Sequence, residues 1–228
     1  MNIHLLFDID GTLLLSGGAG WKAMKVAFSK HFEIEEFETV PVHGRTDRGI
    51  VAELFANTEI EDTELNREKF FECYLEQLPH SLQSSDGSLL PKVSQLLDSL
   101  ASRNDVTMGL LTGNIEPAAW AKVRHFGIDH HFQFGGFGGQ DQHRNQVAER
   151  AWNAAKKLSP DLEPSKTIVL GDTTRDVECA RWIDCHCIGV LTGGSSADEM
   201  AKANPDLLFE DFSDTDAVLS GIEQLVGV

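Results

Sequence analysis

Two aspartates stand two positions apart at the end of the first apolar segment of the chain. Asp8 and Asp10 follow the run Ile3–Phe7, and Gly11 comes directly after them. Strand side chains alternate in direction, so both carboxylates would lie on one side if the strand geometry persisted, and Gly11 would let the backbone turn away. At about 4 Å and an effective dielectric near 20, two such charges repel by about 4 kcal/mol. The pair therefore needs a proton on one carboxylate or a cation between them, and both outcomes suggest chemistry.

Two later apolar segments, 106–111 and 167–170, also end in polar residues. The residues that follow these segments are Thr112, Gly113 and Asn114, and then Asp172 and Asp176. Ligands bind beyond the carboxyl ends of the strands in open parallel sheets, so we expect these groups to converge with the first aspartate pair. Taken singly, each motif has an ordinary explanation as a loop, a turn or a helix cap. Their joint occurrence favours a functional site.

Apolar spacing divides the chain into an alternating part and an all-helical part. From about Leu89 onward, strand-like and helix-like segments alternate, which predicts a parallel, doubly wound α/β sheet. The predicted strands are 3–7, 106–111, 132–134, 167–170, 185–190 and 207–209. The stretch between Ser16 and Ser85 has only helical spacing, and Gly- and Ser-rich segments flank it. We therefore predict a core of residues 1–15 and 86–228 with an inserted all-helical cap domain of residues 16–85.

In order and over the whole chain, these motifs resemble the signature motifs of the haloacid dehalogenase (HAD) superfamily. The matching residues are Asp8-Ile9-Asp10-Gly11-Thr12, then Thr112, then a basic residue, and then Asp172 with Asp176. The resemblance implies a Rossmann-like core and a reaction in which Asp8 attacks phosphorus to form an aspartyl phosphate. It also implies that Asp10 protonates the leaving oxygen and later deprotonates the hydrolytic water. Such chemistry needs two carboxyl groups, because one becomes covalently occupied while the other changes protonation state.

The resemblance further implies a Mg²⁺ cofactor. Its implied ligands are the Asp8 carboxylate, the Asp10 backbone carbonyl and Asp172, with Asp176 acting directly or through water. Hard oxygen ligands suit this ion, and the cation would offset the crowded carboxylates and bridge them to phosphoryl oxygens.

Binding of the phosphoryl group is implied for residues on two later motifs. The Thr112 hydroxyl and the Gly113 amide would hold one phosphoryl oxygen, with Asn114 as a neighbour. The basic residue of the third motif is usually Lys in this superfamily, and Arg144 fits the place best because it precedes a predicted helix that begins at Asn145. An arginine fork can neutralise a phosphoryl group bidentately.

A basic motif in the predicted cap suggests how a substrate is selected. Arg45 lies in the segment 43–48, and capped members of the superfamily select substrates with a loop or helix start in this region. A guanidinium near the non-phosphoryl end of the substrate would favour a carboxylate, which makes phosphoglycolate an attractive candidate. The alternative is a surface arginine paired with Asp47.

Composition limits the partners. The 228 residues carry a formal net charge of −17, which disfavours nucleic acid and anionic membrane surfaces, and no apolar stretch approaches the length of a bilayer span. No basic segment followed by an apolar block occurs at the amino terminus, so a cytoplasmic location is expected. The four cysteines are too few for a disulfide framework. We expect a monomer or homodimer that acts on a small phosphorylated metabolite.

The leading interpretation is a Mg²⁺-dependent phosphatase of small phosphomonoesters that resembles the phosphoglycolate phosphatase branch. A phosphomutase would share every motif, and a non-catalytic phosphoryl-binding module remains the alternative from another class. Dehalogenases of the superfamily lack the second acidic residue, so Asp10 argues against them, and phosphonate hydrolysis would require a cap lysine in a context that neither Lys22 nor Lys25 has. The glycine-rich segment 135–139 fails the spacing of a dinucleotide-binding motif, and we expect it to be a loop.

Overall fold

One parallel sheet of six strands lies at the centre of the computed structural model, which describes residues 2–227. In chain order the strands are β1 (Ile3–Phe7), β2 (Leu14–Leu15), β3 (Ser88–Leu89), β4 (Val106–Thr112), β5 (Gly135–Phe137), β6 (Thr167–Gly171), β7 (His186–Val190) and β8 (Leu207–Phe209). The sheet has the order β5-β4-β1-β6-β7-β8, whereas β2 and β3 pair separately as an antiparallel ribbon. The chain runs outward from β1 to one side first and then to the other, which confirms the predicted doubly wound α/β class.

Helices cover both faces of this sheet and form the inserted unit. In chain order they are α1 (Ala19–Phe32), α2 (Asp47–Asn57), α3 (Glu64–Gln83), α4 (Val93–Ala101), α5 (Glu116–His125), α6 (Arg144–Leu158), α7 (Thr174–Trp182), α8 (Ala197–Ala203) and α9 (Thr215–Val226). Local sequence explains several of their first residues: Pro117 occupies the first turn of α5, and Thr46 caps α2 by accepting a hydrogen bond from the Gly49 amide. Among residues 2–227, no helix combines the length and apolar composition that a bilayer crossing requires.

Strand β1 shows how the sequence builds the two sides of the core. Ile3, Leu5 and Phe7 are fully buried in the apolar cluster on one face of the sheet, and Leu6 is buried in the cluster on the other face. Hydrogen-bonded neighbours β4 and β6 flank β1 on both sides. The end of β1 therefore lies between the ends of β4 and β6, and the residues that follow it emerge in the middle of the sheet edge.

Helices α1 to α3 have an apolar core of their own. Phe28, Phe55 and Phe70 are buried there with their rings in edge contacts, and the same cluster continues onto Ile115 and Ala118 at the start of α5. The insertion is thus an all-helical cap that packs against the helix following β4. The β2–β3 ribbon joins the two chain segments that enter and leave this cap, and the sequence analysis did not predict it.

The predicted strand at 132–134 and the predicted loop at 135–139 are wrong in part. The strand is Gly135–Phe137, which pairs with β4, and Phe134 precedes it. Phe134 is buried because its ring covers Gly109, where a Cβ atom would stand 2.5 Å from the ring. At Gly136 a Cβ would meet the Val147 carbonyl of α6 at 2.3 Å. Close packing of a helix on this edge strand therefore requires glycine, and the glycine-rich segment does not show the residue pattern that predicts a strand.

Candidate active site

Asp8 sits directly beyond β1, with its backbone and its carboxylate both fixed by neighbours. Its amide donates to the Leu170 carbonyl of β6 at 2.9 Å, and its Oδ1 lies 2.8 Å from Nη2 of Arg144. Removal from water and the nearby carboxylates Asp176 and Asp172 raise the pKa of Asp8 well above its usual range, although Arg144 opposes the rise. A cation near Asp8 would favour its ionised form.

Arg144 is the first residue of α6, one position earlier than the predicted helix start, and it joins two acidic groups. Its Nη2 is 2.6 Å from Oδ1 of Asp176 as well as 2.8 Å from Asp8. The guanidinium is buried, and its Nε has no hydrogen-bond partner among residues 2–227. Arg144 therefore keeps one N–H donor in the interior without a partner in the described part of the chain.

Asp8, Asp172 and Asp176 form an acidic cluster. All three are buried, and each offers a carboxylate oxygen within 4.8 Å of the others. Burial and the neighbouring Asp176 raise the pKa of Asp172 to about 6. Three hard oxygen donors held together out of water fit Mg²⁺, which binds through one or two carboxylates together with water and substrate oxygens.

Local structure orients the two later aspartates. Asp172 accepts hydrogen bonds from the Thr12 hydroxyl at 3.1 Å and the Gly194 amide at 2.6 Å. Asp176 lies in the first turn of α7, where its Oδ2 accepts hydrogen bonds from the amide and hydroxyl of Thr173 at 3.0 and 2.8 Å. Each carboxylate is therefore preorganised before any cation binds.

Gly11 makes room for this arrangement. Its φ of +88° is a left-handed conformation, and a Cβ there would stand 2.5 Å from Oδ2 of Asp172. Any L side chain would meet both strain and collision, so the first motif requires glycine at this turn.

Asp10 points to a different set of partners. Its Oδ2 accepts a hydrogen bond from Lys122 Nζ at 2.5 Å and another from Asn114 Nδ2 at 2.8 Å. Desolvation alone would raise the pKa of Asp10, but the charge of Lys122 and these hydrogen bonds outweigh it and leave the pKa below its usual value. The two aspartates of the first motif thus differ in environment, as groups with different protonation roles must.

Lys122 is a site residue that the sequence analysis missed. It lies on α5 and is only 4% exposed, and its Nζ also donates to Asn114 Oδ1 at 2.7 Å. The signal was present in the spacing, because Ala118, Ala119 and Val123 share the buried face of α5. A lysine on an otherwise apolar helix face needs a partner in the interior.

The motif after β4 supplies polar groups at the next strand end. Thr112 is fully buried, and its Oγ1 accepts from Nδ2 of Asn114 at 2.8 Å. Thr112, Gly113 and Asn114 border one cavity of about 510 Å³ together with Asp8 and Asp10. The structure therefore brings the predicted residues of the first two motifs to a common space.

The cap closes directly over this motif. The Asp47 amide donates to the Gly113 carbonyl at 2.7 Å, and Asp47 Oδ2 accepts from the Ile115 amide at 2.8 Å. A Cβ on Gly113 would fall 1.9 Å from the Arg45 carbonyl oxygen. Burial raises the pKa of Asp47 to about 6, against the opposing charge of Lys122. Glycine at position 113 thus permits a backbone contact that shuts one side of the cavity.

Arg45 borders the cavity, but its charge already has a partner. Its Nη1 lies 2.6 Å from Oε2 of Glu53, and the guanidinium also donates to the carbonyls of Pro41 and Gly49. The alternative pairing of Arg45 with Asp47 is wrong, because the Asp47 carboxylate accepts from the amide at the start of α5 instead.

Comparison with known proteins identifies the family. The family model described as haloacid dehalogenase-like hydrolase matches residues 5–190. A protein named phosphoglycolate phosphatase from Photorhabdus laumondii subsp. laumondii is 26% identical over 220 residues, which cover 92% of this chain and 89% of that protein.

Two solved structures share the fold. The structure of CbbY from Rhodobacter sphaeroides in complex with phosphate has a TM-score of 0.75 at 17% identity, covering 94% of this chain and 96% of that one. A predicted phosphoglycolate phosphatase from Haemophilus somnus has a TM-score of 0.70 at 21% identity, covering 96% and 98%. These matches confirm the resemblance found in the sequence, and the names of the relatives agree with the predicted enzyme class. The chain belongs to the haloacid dehalogenase-like hydrolases.

Proposed function

We propose that the protein is a Mg²⁺-dependent phosphatase of small phosphomonoesters that works through a phosphorylated Asp8. The observation that carries this proposal is the cluster in which Asp8, Asp172 and Asp176 approach within 4.8 Å while Arg144 bonds to Asp8 and Asp176 at once. This arrangement brings a carboxylate nucleophile, ligands for a cation and a buried guanidinium together at the carboxyl-terminal edge of the sheet. Phosphoryl transfer depends mainly on this kind of positioning and charge neutralisation.

In this proposal Asp8 attacks phosphorus with one carboxylate oxygen. Arg144 holds Asp8 in place and places positive charge beside the phosphoryl group, and the Thr112 hydroxyl and the Gly113 amide donate to a phosphoryl oxygen. Bound at Asp8, Asp172 and the Asp10 carbonyl, with Asp176 direct or through water, Mg²⁺ would neutralise charge on the transferring group. These contacts are aimed at the charge that builds up on the equatorial oxygens.

Asp10 takes the proton-transfer role. It donates a proton to the leaving oxygen in the first step and accepts one from water in the second, which releases phosphate and restores Asp8. Its contacts with Lys122 and Asn114 hold one carboxylate oxygen, Oδ2, in place. The first step needs Asp10 protonated and the second needs it ionised.

Phosphoglycolate is the substrate we propose to test first. A relative that covers 92% of this chain carries the name phosphoglycolate phosphatase, and Arg45 lies at the border of the cavity, on its cap side. A carboxylate that reached Arg45 would share the guanidinium with Glu53.

The direct test is phosphate release from a panel of phosphorylated metabolites and an aryl phosphate, with Mg²⁺ and with EDTA. We expect turnover only with the metal, and we expect Asp8→Asn to lower kcat by at least about 10³-fold because the nucleophile is lost. Asp161→Asn is the matched control, since Asp161 is an exposed residue remote from the cavity. Mg²⁺-independent turnover, or full activity of Asp8→Asn, would contradict the proposal.

A further inference from the structure

The hydroxyl of Tyr74 faces the cavity without a partner. Tyr74 lies on α3 of the cap and is 1% exposed, with its ring stacked on Phe70 at 9°. It borders the cavity that contains Asp8, and its hydroxyl makes no hydrogen bond to any of residues 2–227. Burial, together with the nearby Asp47 and Asp10, raises the pKa of Tyr74 well above its usual value, so Tyr74 stays a protonated donor. A hydroxyl that opens into the cavity is available to a hydrogen-bond acceptor of a bound ligand or to water.

A second donor faces the same place from the core. A Cβ added to Gly20 on α1 would lie 3.7 Å from the Tyr74 oxygen and 3.9 Å from Lys122 Nζ. Both groups therefore lie close to the same point beside Gly20. The ammonium of Lys122 has three N–H bonds, and two of them serve Asp10 and Asn114. The third remains for an acceptor in the cavity. Glycine at position 20 keeps this point open.

We propose that Tyr74 and Lys122 bind an oxygen atom of the substrate's leaving group beside Gly20. The inference rests on the proposed phosphatase function and specifies its substrate class: phosphomonoesters whose alcohol carries a further hydroxyl or carboxylate oxygen, in preference to simple alkyl phosphates. Lys122 connects this position to the reaction, because the same ammonium holds Asp10, the proposed proton donor to the leaving oxygen. Trp21 and Met24 line the same cavity and supply the apolar surface that the carbon atoms would contact.

Two substitutions test the subsite without removing any charge. Tyr74→Phe deletes only the hydroxyl. Gly20→Ala places a methyl group at the open point in ordinary van der Waals contact and removes a helix-destabilising glycine, so both variants should fold. Ser99→Ala, which deletes a hydroxyl on the exposed part of α4, is the control.

The measurement is kcat/KM for phosphoglycolate, 2-hydroxyethyl phosphate and ethyl phosphate, each with Mg²⁺. In the wild type, kcat/KM for phosphoglycolate or for 2-hydroxyethyl phosphate, whose alcohols carry a further oxygen group, should exceed kcat/KM for ethyl phosphate. Tyr74→Phe and Gly20→Ala should each lower that ratio about tenfold, as the loss of a hydrogen bond predicts, while kcat/KM for ethyl phosphate changes less than about twofold. The two oxygen-bearing substrates distinguish a carboxylate from a neutral hydroxyl at the subsite.

An unchanged ratio in both variants, or an equal loss for all three substrates, would overturn the subsite. Equal loss would mean that Tyr74 acts only through the packing of the cap. A wild type that releases no phosphate from any of the three substrates or from an aryl phosphate would instead overturn the phosphatase function, and the subsite with it.

Discussion

The ammonium nitrogen of Lys122 lies 2.5 Å from a carboxylate oxygen of Asp10. This ion pair joins a core helix to the turn after the first strand, and Asn114 bonds to both partners. It separates the electrostatic environment of Asp10 from that of Asp8, which is paired with Arg144. The two members of the first motif therefore have different cationic partners.

Replacing Lys122 by methionine should disturb the proton-transfer role of Asp10. Without the cation, desolvation is opposed only by hydrogen bonds, so the pKa of Asp10 rises and the limb of the pH profile of kcat that it governs moves to higher pH. We expect kcat near neutral pH to fall about 100-fold, the scale of a positioned acid–base group. Lys122→Arg should recover part of the loss. An unshifted pH profile would show that Lys122 has no influence on Asp10, and Lys157→Met, at an exposed position on α6, is the control.

Arg144 should be needed for both stability and phosphate binding. Arg144→Ala leaves Asp8 and Asp176 buried without their cation, and loss of one partner of a buried ion pair lowers the free energy of unfolding by about 3–5 kcal/mol. Urea unfolding in EDTA measures this change, and inhibition by inorganic phosphate measures the anion site. Mg²⁺ should restore more stability to the variant than to the wild type, because the two carboxylates then lack any other cation. Near wild-type turnover and phosphate inhibition in Arg144→Ala would mean that another cation serves the third motif.

Mg²⁺ binding should depend on pH through Asp172. Its pKa of about 6 in the folded protein exceeds the ordinary 3.8, so the folded state holds this proton more tightly than the unfolded chain does. In EDTA, the contribution of this Asp172 proton to the free energy of unfolding is therefore present below about pH 4 and is lost as the pH rises to about 6.

The cation has to displace that proton. Mg²⁺ affinity should rise up to about tenfold per pH unit below pH 6 and level off above it. Calorimetric titration between pH 5 and 8 measures this, and Asp172→Asn should abolish the tight binding. A flat affinity across this range would contradict the assignment of Asp172 as a ligand.

Arg45 should select carboxylated substrates if it reaches the leaving group. Arg45→Ala should then lower kcat/KM for phosphoglycolate relative to ethyl phosphate, and Glu53→Gln should raise the same ratio because the guanidinium loses its competing carboxylate. We expect changes of about three- to tenfold, as for a partly exposed charge pair. If Arg45→Ala lowers kcat/KM equally for both substrates, Arg45 has no selective role.

The sequence predicted the parts of the site that lie close to strand ends. Asp8 and Asp172 follow buried strands that pair side by side, so the topology alone brings them together. Arg144 was also assigned from its place before a helix, and the structure puts its guanidinium between Asp8 and Asp176. These predictions required only the order of strands and the direction in which a parallel sheet presents its ends.

Residues on helix faces were harder to predict. Lys122 and Tyr74 reach the cavity because of how α5 packs against α3, which no local motif specifies. The partner of Arg45 was equally hard to predict, because Glu53 lies eight positions later, within α2, whereas Arg45 precedes that helix. The predicted position of edge strand β5 was wrong because close packing by α6 requires glycines, and a glycine-rich segment resembles a loop in the sequence.

The most direct test of the central claim is to trap the phosphorylated enzyme. Rapid acid quench during turnover of a phosphomonoester, followed by borohydride reduction, releases the phosphoryl group of any aspartyl phosphate and converts that aspartate to homoserine, which peptide mass spectrometry locates. We expect conversion of Asp8 to homoserine in the wild type and no conversion in Asp8→Asn, with more conversion of Asp8 in Asp10→Asn if that variant still forms the intermediate. Conversion of another aspartate instead, or turnover through a step that never phosphorylates the protein, would contradict the account.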